Sequence, residues 1–478
     1  MNNNLQENIM TDQSAASFFE DMYPYRNRFK TNASFPEKGR DREEVYQELL
    51  TISQEEDKKW ENGQVSGTMY HGGKEHYAFL NRVYSLFSYV NLLQRDLCPS
   101  GTKFEAEIVS MTAKMLHGDV AREMNENDEV CGVVTSGGSD SIFNGVYVHR
   151  EWAREEKGIT QPEMVVPTTI HPAFDKAAHY LGIKIIHVPL GKDYEADVDA
   201  MRQAITPNTI MVCGSAGCYP YGVIDPLSKL SDLALEYKIG MHVDGCLGGF
   251  ILPWVEKLGY DIPPFDFRLP GVTSMSCDTH KYGYGLKGTS VVLLRNRKLR
   301  RYMFFSKADW PGGVYASPTL QGSRSGGLSA ATWAAMVTMG ESGYMESARR
   351  IMNTADKIRA GIAQIPEIQI MGKSTFLIAL TSHVVDIYHV NDYLASKGWR
   401  MNGCQNPPGF HFCITLPQTS PGIAERFIED LKAGVEYAKN PPQPIPASGA
   451  LYGLSASVDG KEMLKQGMMA WIEATYEL

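Results

Sequence analysis

The sequence predicts an α/β protein whose larger domain is built around a mostly parallel sheet of seven strands. Two observations predict this fold class. Short, almost continuously apolar runs alternate with amphipathic stretches from about residue 77 to residue 340, which is the pattern of buried parallel strands connected by helices. The chain is also 478 residues long, which is too long for one simple core and indicates two or more domains.

The elements follow one another in a regular order. A first helix is expected at about 42–58, ahead of the sheet. The seven strands are expected at 130–134, 163–170, 184–190, 209–217, 241–245, 272–277 and 289–295. Helices are expected at 104–118, 140–158, 172–182 and 225–240. Because ligands of such folds bind at the carboxyl ends of parallel strands, the residues that follow each strand are the first candidates for a functional site.

Three segments are expected along the chain. Residues 1–75 are polar and aromatic and form an N-terminal arm without an obvious core of its own. The alternating region defines a large domain at 76–344. A long helical stretch at 331–366 then leads into a smaller C-terminal α/β domain at 345–478, with strands expected at 368–372, 376–381 and 410–416.

Composition and charge argue against several classes of protein. The formal net charge of -9 and the pI of about 5.8 argue against nucleic acid as the main partner. No apolar run is long enough to span a bilayer, and the polar N-terminus does not resemble a signal peptide. The eight cysteines lack C-x-x-C spacing and the histidines lack H-E-x-x-H spacing. We therefore expect free thiols, no metal site and a cytoplasmic location.

The first motif with possible chemistry is TSGGSDS at 135–141, between a predicted strand and a predicted helix. Gly138 would let a ligand approach the backbone closely, and Ser139 offers a hydroxyl donor. The free N–H groups at the start of the helix favour a phosphate. An ordinary strand-to-helix turn with a Ser or Asp cap explains the motif equally well.

Other candidate residues also follow predicted strands. Asp244, in HVDGCLGGF, needs either a protonated heterocyclic nitrogen or nearby backbone N–H groups as its partner. Lys281, in SCDTHKYGYGLKG, follows His280 and precedes Lys287 by six positions. Burial and positive neighbours would favour an uncharged, nucleophilic lysine there, although an exposed loop lysine is the plainer interpretation. His171 would either stack on a planar cofactor or begin a helix.

These motifs gain meaning from their order, because all of them fall at corresponding ends of strands in one predicted sheet. Pyridoxal 5'-phosphate needs a seat for its phosphate, a surface for its ring, an acid for its ring nitrogen and an amine for its aldehyde. Together the motifs therefore predict a pyridoxal 5'-phosphate site, which none of them predicts alone.

The same motifs resemble those of a known family. TSGGSDS, HVDGCLGGF, DTHKYGYGLKG and WPGGVYASPTLQGSRSGG resemble segments of the sphingosine-1-phosphate lyases, which are group II decarboxylase-like enzymes of PLP-dependent transferase fold type I. The resemblance runs, with gaps, from about Val65 to the C-terminus. It implies retro-aldol cleavage of a phosphorylated long-chain base, such as sphingosine 1-phosphate, to a long-chain aldehyde and phosphoethanolamine. Eukaryotic members carry a membrane anchor that this sequence lacks, so we expect a soluble, bacterial-type member; in a pathogen it would be expected to reach the host cell.

The resemblance also implies a role for each candidate residue. Lys281 would be the Schiff-base lysine, and Tyr219 and Tyr452 would lie near the reacting atoms. The residues implied to hold the cofactor are Gly138, Ser139, His171, Asp244, His280, Lys281 and Ser323. The residues implied to bind the substrate phosphate are Lys287, Tyr70, Asn91 and Gln94. Because Ser323 is expected to arrive from the partner subunit, the resemblance implies a homodimer with shared active sites.

One position departs from the family, and two other functions stay open. Gln94 stands where the family commonly has a histidine. Glutamine donates hydrogen bonds but cannot become cationic, so we expect phosphate affinity or its pH dependence to differ.

An amino-acid decarboxylase of the glutamate or aromatic type would need the same cofactor residues but not Lys287. A non-catalytic binding protein is disfavoured by the presence of Lys281, Asp244 and His171. The catalytic base stays open between a tyrosinate, Lys281 and the substrate phosphate.

Overall fold

The predicted α/β fold with a mostly parallel seven-stranded sheet is confirmed. The computed structural model describes residues 24–26, 28–449 and 458–477. The seven strands are β1 (Cys131–Thr135), β2 (Glu163–Pro167), β3 (Lys184–Val188), β4 (Thr209–Ser215), β5 (Gly240–Asp244), β6 (Ser274–Cys277) and β7 (Ser290–Leu294). Their order across the sheet is β1-β7-β6-β5-β4-β2-β3. Only β7 runs antiparallel to its neighbours.

Burial explains why these segments are strands. Every residue of β1, β2, β4, β5, β6 and β7 is buried, whereas β3 at the sheet edge is partly exposed. A strand that is buried on both faces needs apolar residues at nearly every position, because helices cover the sheet on each side. The continuous apolar runs of the sequence are therefore the expected signature of this sheet.

Fourteen α-helices lie in the part of the chain that the structure describes. They are α1 (Arg42–Asp57), α2 (Lys74–Leu86), α3 (Pro99–Met115), α4 (Gly118–Met124), α5 (Gly138–Lys157), α6 (Ala173–Leu181), α7 (Val198–Ala204), α8 (Leu227–Tyr237), α9 (Leu252–Lys257), α10 (Arg297–Arg301), α11 (Gly326–Ile362), α12 (Ile387–Ser396), α13 (Ile423–Lys439) and α14 (Val458–Ala474). Local chemistry sets several of the helix ends. Ser325 caps the start of α11 through the N–H of Leu328. Gly158 closes α5 in a left-handed conformation, with φ of 68°.

A smaller antiparallel sheet follows α11. Its strands are β10 (Gln369–Ile370), β11 (Leu377–Thr381), β12 (Asn402–Cys404) and β13 (Gly409–Cys413), in the order β10-β11-β13-β12. Together with α12 and α13 it forms the smaller α/β region expected near the C-terminus. A separate hairpin, β8 (Phe305–Trp310) and β9 (Gly313–Ser317), was not expected from the sequence.

The chain divides into two compact units, Gly63–Pro444 and a second unit that joins Met1–Asn62 to Ile445–Leu478. Both multi-stranded sheets belong to the first unit, and α1 and α14 belong to the second. Within the first unit, the hydroxyl of Ser66 donates to the His411 carbonyl at 3.0 Å and accepts from the Cys413 N–H at 2.9 Å. These hydrogen bonds connect the segment that follows residue 62 to strand β13 of the smaller sheet. The division at residues 75 and 344 stays a prediction.

All eight cysteines are free thiols, and seven of them are buried. Among the residues that the structure describes, no helix is long and apolar enough to cross a membrane. The same residues contain no cluster of three or more His, Cys, Asp or Glu side chains that would hold a metal ion.

Candidate active site

The register of the larger sheet brings three of the predicted motifs to one edge. Asp244, the last residue of β5, pairs with Ser276 of β6. Cys277 at the end of β6 and Thr135 at the end of β1 pair with consecutive residues at the start of β7. The segments that follow β1, β5 and β6 therefore leave the sheet at the same edge, which is the position expected for a ligand site.

The glycine turn after β1 lies directly against the segment that carries the two lysines. A Cβ atom on Gly138 would lie 2.7 and 2.8 Å from the two carboxylate oxygens of Asp278. A Cβ atom on Gly137 would lie 3.7 Å from Cε1 of His280. Position 138 therefore needs glycine, since any side chain would collide with the carboxylate. Ser139 is exposed in the first turn of α5.

Asp278 is the site residue that sequence reasoning missed. Its side chain is buried, and its Oδ2 lies 3.0 Å from Nζ of Lys281 and 3.7 Å from Nε2 of His280. Its Oδ1 has no hydrogen-bond partner among the described residues. The available signal was the DTHK spacing, which places an acid three positions before a lysine just after a strand. Because an unpaired buried carboxylate oxygen is costly, Oδ1 marks a position where a donor from outside the chain would be stabilised.

The electrostatics of Lys281 differ from the sequence-based expectation. Burial disfavours the ammonium and lowers the pKa of Lys281, but the Asp278 carboxylate, with smaller contributions from Cys246 and Asp244, raises that pKa above its usual value. The expectation that positive neighbours leave Lys281 uncharged is therefore wrong for this form of the protein. The nearest charged group is a carboxylate. Before it attacks an aldehyde, the amine must give up a proton.

Lys287 has the opposite environment. Its Nζ lies 3.2 Å from the carbonyl oxygen of His280, 3.5 Å from that of Thr68 and 5.0 Å from the centre of the Tyr70 ring. In the described part of the chain, no carboxylate lies within 4.0 Å of this amine. Burial, followed by the charge of Lys281, lowers the pKa of Lys287 to about 8. An incoming anion would stabilise a cation in this position.

Two predicted tyrosines lie beside the lysines in different settings. Tyr70 is buried, and its ring meets the Tyr282 ring edge-on at 5.1 Å. Burial raises the pKa of Tyr70 well above its usual value, so its phenol stays protonated. Tyr219 is 47% exposed and its ring lies edge-on to the imidazole of His411, with centres 4.8 Å apart. Burial also raises the pKa of Tyr219, and the nearby charge of Lys281 opposes this effect.

Asp244 and His171 also lie at the end of the sheet where the parallel strands have their carboxyl termini. Oδ1 of Asp244 accepts the N–H of Cys246 at 3.0 Å and faces the Ser276 hydroxyl at 3.4 Å. His171 follows β2, which is separated from β5 by β4 alone. Its Nδ1 accepts the N–H of Ala173 at 3.1 Å at the start of α6. His171 therefore has the helix-entry contact that the sequence allowed, and its side chain is only partly buried.

Asn91 and Ser323 form a second group within the chain. Nδ2 of Asn91 donates to the Ser323 hydroxyl at 2.9 Å, and Oδ1 of Asn91 accepts the N–H of Arg324 at 3.3 Å. Arg324 in turn forms a buried ion pair with Glu105 and donates to the carbonyl of Val134 at 3.2 Å. The exposed Gln94 lies one turn beyond Asn91. Among the described residues, no hydrogen bond or ion pair joins this group to Lys281 or Lys287. Tyr452 lies outside the described residues.

Comparison with known proteins identifies the family. Residues 24–379 match the model of the pyridoxal-dependent decarboxylase conserved domain. A sphingosine-1-phosphate lyase of Dictyostelium discoideum is 45% identical over 448 residues, which is 92% of this chain and 82% of that protein. The chain belongs to the sphingosine-1-phosphate lyase family. The solved structure of a sphingosine-1-phosphate lyase from Burkholderia pseudomallei matches with a TM-score of 0.86 and 52% identity, over 88% of this chain and 96% of that one.

A more distant structure shows how far the fold of the sphingosine-1-phosphate lyase family extends. Glutamate decarboxylase of Lactobacillus brevis matches with a TM-score of 0.71 but only 18% identity, over 88% of this chain and 98% of that one. At that identity the match shows a shared fold alone. The fold class expected from the sequence is therefore confirmed.

The cofactor of this sphingosine-1-phosphate lyase family member is pyridoxal 5'-phosphate, and the residues present fit it. The Gly138 turn leaves no side chain between the backbone and Asp278. A lysine and a carboxylate, Lys281 and Asp244, follow neighbouring strands at the same edge. Oδ1 of Asp278 has no hydrogen-bond partner among the described residues, so the site contains an acceptor that a bound molecule would satisfy. These features supply an amine, an acid and an open backbone approach, which are what the cofactor requires.

Proposed function

We propose that this chain cleaves sphingosine 1-phosphate, or a related phosphorylated long-chain base, into a long-chain aldehyde and phosphoethanolamine. Membership of the lyase family supports the reaction class. The single observation that carries the substrate is Lys287, an exposed lysine whose ammonium has two carbonyl groups and an aromatic face beside it and no carboxylate within 4.0 Å among the described residues. A substrate phosphate would complete this environment.

The cofactor is held by residues at the sheet edge. Gly138, Ser139 and His280 bind its phosphate, since the start of α5 supplies N–H groups and His280 lies beside the glycine turn. Lys281 would be the residue of covalent attachment, and Asp244 would pair with the ring nitrogen. His171 would hold the ring, and Ser323 of the partner subunit would complete the phosphate site. When bound, the cofactor accepts the electron pair that is released as the bond between carbons 2 and 3 of the substrate breaks.

The remaining residues of the chain bind and orient the substrate. Lys287 and Tyr70 hold the phosphate. Asn91 and Gln94 assist them from the same partner subunit as Ser323, because Asn91 is hydrogen-bonded to Ser323 within one chain. Because this anchor is remote from the bond that breaks, its binding energy serves to orient that bond for cleavage. Because the pKa of Lys287 is lowered to about 8, the amine binds phosphate only while it is protonated. The affinity for the substrate phosphate therefore depends on pH.

We assign Tyr219 and Tyr452 to the 3-hydroxyl of the substrate, where the proton is transferred. Tyr219 is partly exposed, and its pKa is raised by burial, so at neutral pH it is a hydrogen-bond donor that orients the hydroxyl. The amine of Lys281, whenever it is not covalently engaged, is the candidate base, and the adjacent carboxylate of Asp278 raises its pKa. We assign to Asp278 the role of holding this amine in place whenever it is not covalently engaged.

The protein acts as a homodimer with shared sites. This proposal is supported by the hairpin of β8 and β9, on which Phe305, Trp310 and Val314 are 56%, 53% and 82% exposed in a single chain. Exposed apolar side chains on one hairpin are typical of a surface that a second copy covers. Ser323 follows the same hairpin along the chain, so the covered surface and the expected partner contribution belong to one segment. The eight free thiols support a cytoplasmic location.

The test compares two product analyses on the purified protein supplied with pyridoxal 5'-phosphate. Incubation with sphingosine 1-phosphate is expected to release a long-chain aldehyde and phosphoethanolamine in equal amounts. Incubation with glutamate and with aromatic amino acids is expected to release no carbon dioxide. Carbon dioxide release without aldehyde would overturn the lyase assignment in favour of an amino-acid decarboxylase.

A further inference from the structure

The carboxylate of Asp244 is supported by a buried hydroxyl and imidazole that the proposed mechanism does not use. The Ser276 hydroxyl lies 3.4 Å from Oδ1 of Asp244 and 3.2 Å from Nε2 of His242. The other imidazole nitrogen, Nδ1, lies 2.7 Å from the hydroxyl of Ser274. The thiol of Cys246 donates to the same Ser276 oxygen at 3.2 Å. Ser274, Ser276 and His242 have no exposed surface, so solvent does not compete for these contacts.

The proton inventory of this network has a single consistent solution. Burial, with a smaller contribution from His149, lowers the pKa of His242 to about 3, so the imidazole is neutral and carries one N–H. An ionised Asp244 is an acceptor only, so the Ser276 hydroxyl must donate to it. Nε2 of His242 must then be the donor to Ser276, and Nδ1 must accept from Ser274. Each hydrogen is therefore donated once. The chain of hydrogen bonds runs from Ser274 through His242 and Ser276 to the carboxylate of Asp244.

We propose that Ser276 is a positioning residue that, held by the neutral imidazole of His242, fixes Asp244 as the anionic partner of the cofactor's ring nitrogen. The inference rests on the proposed function, in which Asp244 faces that nitrogen. The Ser276 hydroxyl and the Cys246 N–H both contact Oδ1. This arrangement leaves Oδ2 for the ring nitrogen. Hydrogen bonds to Oδ1 fix the orientation of the carboxylate, and a carboxylate held against the facing nitrogen favours the protonated form of that nitrogen.

The chain provides a matched control for Ser276. Ser274 is also a fully buried serine of β6 and also contacts the imidazole of His242, but it has no hydrogen bond to Asp244. Removal of either hydroxyl deletes one oxygen atom from the same strand. A difference between Ser276→Ala and Ser274→Ala therefore reports on contact with Asp244 rather than on packing.

The experiment reconstitutes the full-length protein with pyridoxal 5'-phosphate labelled with nitrogen-15 in the ring, and records the nitrogen-15 chemical shift. The wild type is expected to show a protonated ring nitrogen. Ser276→Ala is expected to move the shift toward the unprotonated value and to weaken cofactor affinity roughly threefold to tenfold, as the loss of one net hydrogen bond predicts. Ser274→Ala is expected to leave the shift unchanged.

Asp244→Asn separates failure of this inference from failure of the proposed function. If Asp244→Asn moves the shift but Ser276→Ala and Ser274→Ala behave alike, the role of Ser276 is overturned and that of Asp244 stands. If Asp244→Asn leaves the nitrogen protonated, the assignment of Asp244 itself is wrong. Thermal melting of each variant without cofactor identifies any that fail to fold. For such a position, Ser276→Cys, which keeps a weak donor, is measured instead and is expected to give an intermediate shift; a shift equal to that of the wild type would also overturn the inference.

Discussion

Replacement of Lys287 is the most informative perturbation of the substrate site. Lys287→Met keeps the aliphatic chain beside Tyr70 but removes the ammonium that lies 5.0 Å from that ring. A hydrogen bond to a charged group contributes about 1.5–3 kcal/mol, and every 1.4 kcal/mol is about tenfold in an equilibrium constant. We therefore expect kcat/KM for sphingosine 1-phosphate to fall roughly 10- to 150-fold, while the protein still binds its cofactor.

The assay measures aldehyde release at several substrate concentrations for three proteins. The matched control is Lys373→Met, which removes an exposed lysine paired with Asp261 at 3.0 Å on the surface and is expected to change nothing. Unphosphorylated sphingosine is the second control, because it has no phosphate for Lys287 to bind, and its rate of cleavage should be the same in the wild type and in Lys287→Met. A loss of less than twofold with the phosphorylated substrate, or an equal loss with both substrates, would refute the assignment.

The pH dependence follows from the same residue. Burial and the charge of Lys281 lower the pKa of free Lys287 to about 8. The ammonium binds phosphate, and the neutral amine does not, so KM for sphingosine 1-phosphate should rise as pH increases through about 8. Lys287→Arg should remove this rise because guanidinium remains protonated throughout this range. A KM that stays flat between pH 7 and 9 in the wild type would contradict this account.

Three further predictions concern the cofactor site and the fold. Lys281→Ala should abolish covalent fixation of the cofactor by borohydride, as measured by intact mass, whereas Lys287→Ala should retain it; fixation in Lys281→Ala would show that another lysine is attached. Gly138→Ala should weaken cofactor affinity, measured by fluorescence titration, because its Cβ would lie 2.7 Å from Asp278; the control Gly191→Ala, whose nearest neighbour would be at 3.6 Å, should not. Arg324→Leu should cost about 1.5–3 kcal/mol of unfolding free energy in denaturant titrations, because the buried Glu105 loses one of its two arginine partners and keeps only Arg95. The exposed pair of Arg297 and Glu129 is the control, and Arg297→Leu should cost about 0–1 kcal/mol; equal costs would contradict the burial argument.

The larger sheet was predictable because its strands are buried on both faces. A run such as that of β4, Thr209–Ser215, has four consecutive apolar residues at its centre, 210–213, and is entirely buried. The hairpin of β8 and β9 was not predictable in the same way. All six residues of β8 are exposed in the single chain, so no core imposes an apolar pattern on them. Strand β12 has only three residues, which is too few to show the alternation of apolar and polar side chains that identifies a strand.

The site was predictable where its residues follow strands, and not where it depends on contacts across the fold. Gly138, Asp244 and Lys281 could be proposed because each follows a strand of one sheet. The contact of Asp278 with the Gly138 turn joins segments about 140 residues apart in the chain, and only the structure shows it. The charge of Lys281 was misjudged because the Asp278 carboxylate, three residues earlier in the chain, was not weighed against the effect of burial. The hydrogen bond between Asn91 and Ser323 likewise joins residues 232 positions apart.

The most direct test of the central claim follows the bond that is proposed to break. The purified protein with pyridoxal 5'-phosphate is incubated with sphingosine 1-phosphate that is labelled with carbon-13 at carbons 2 and 3, and the products are observed by NMR. The account predicts that the one-bond coupling between the two labels disappears, with one label in an aldehyde group and the other in phosphoethanolamine. If the labels remain coupled in every product while the substrate is consumed, the chain does not cleave this bond and the account is wrong.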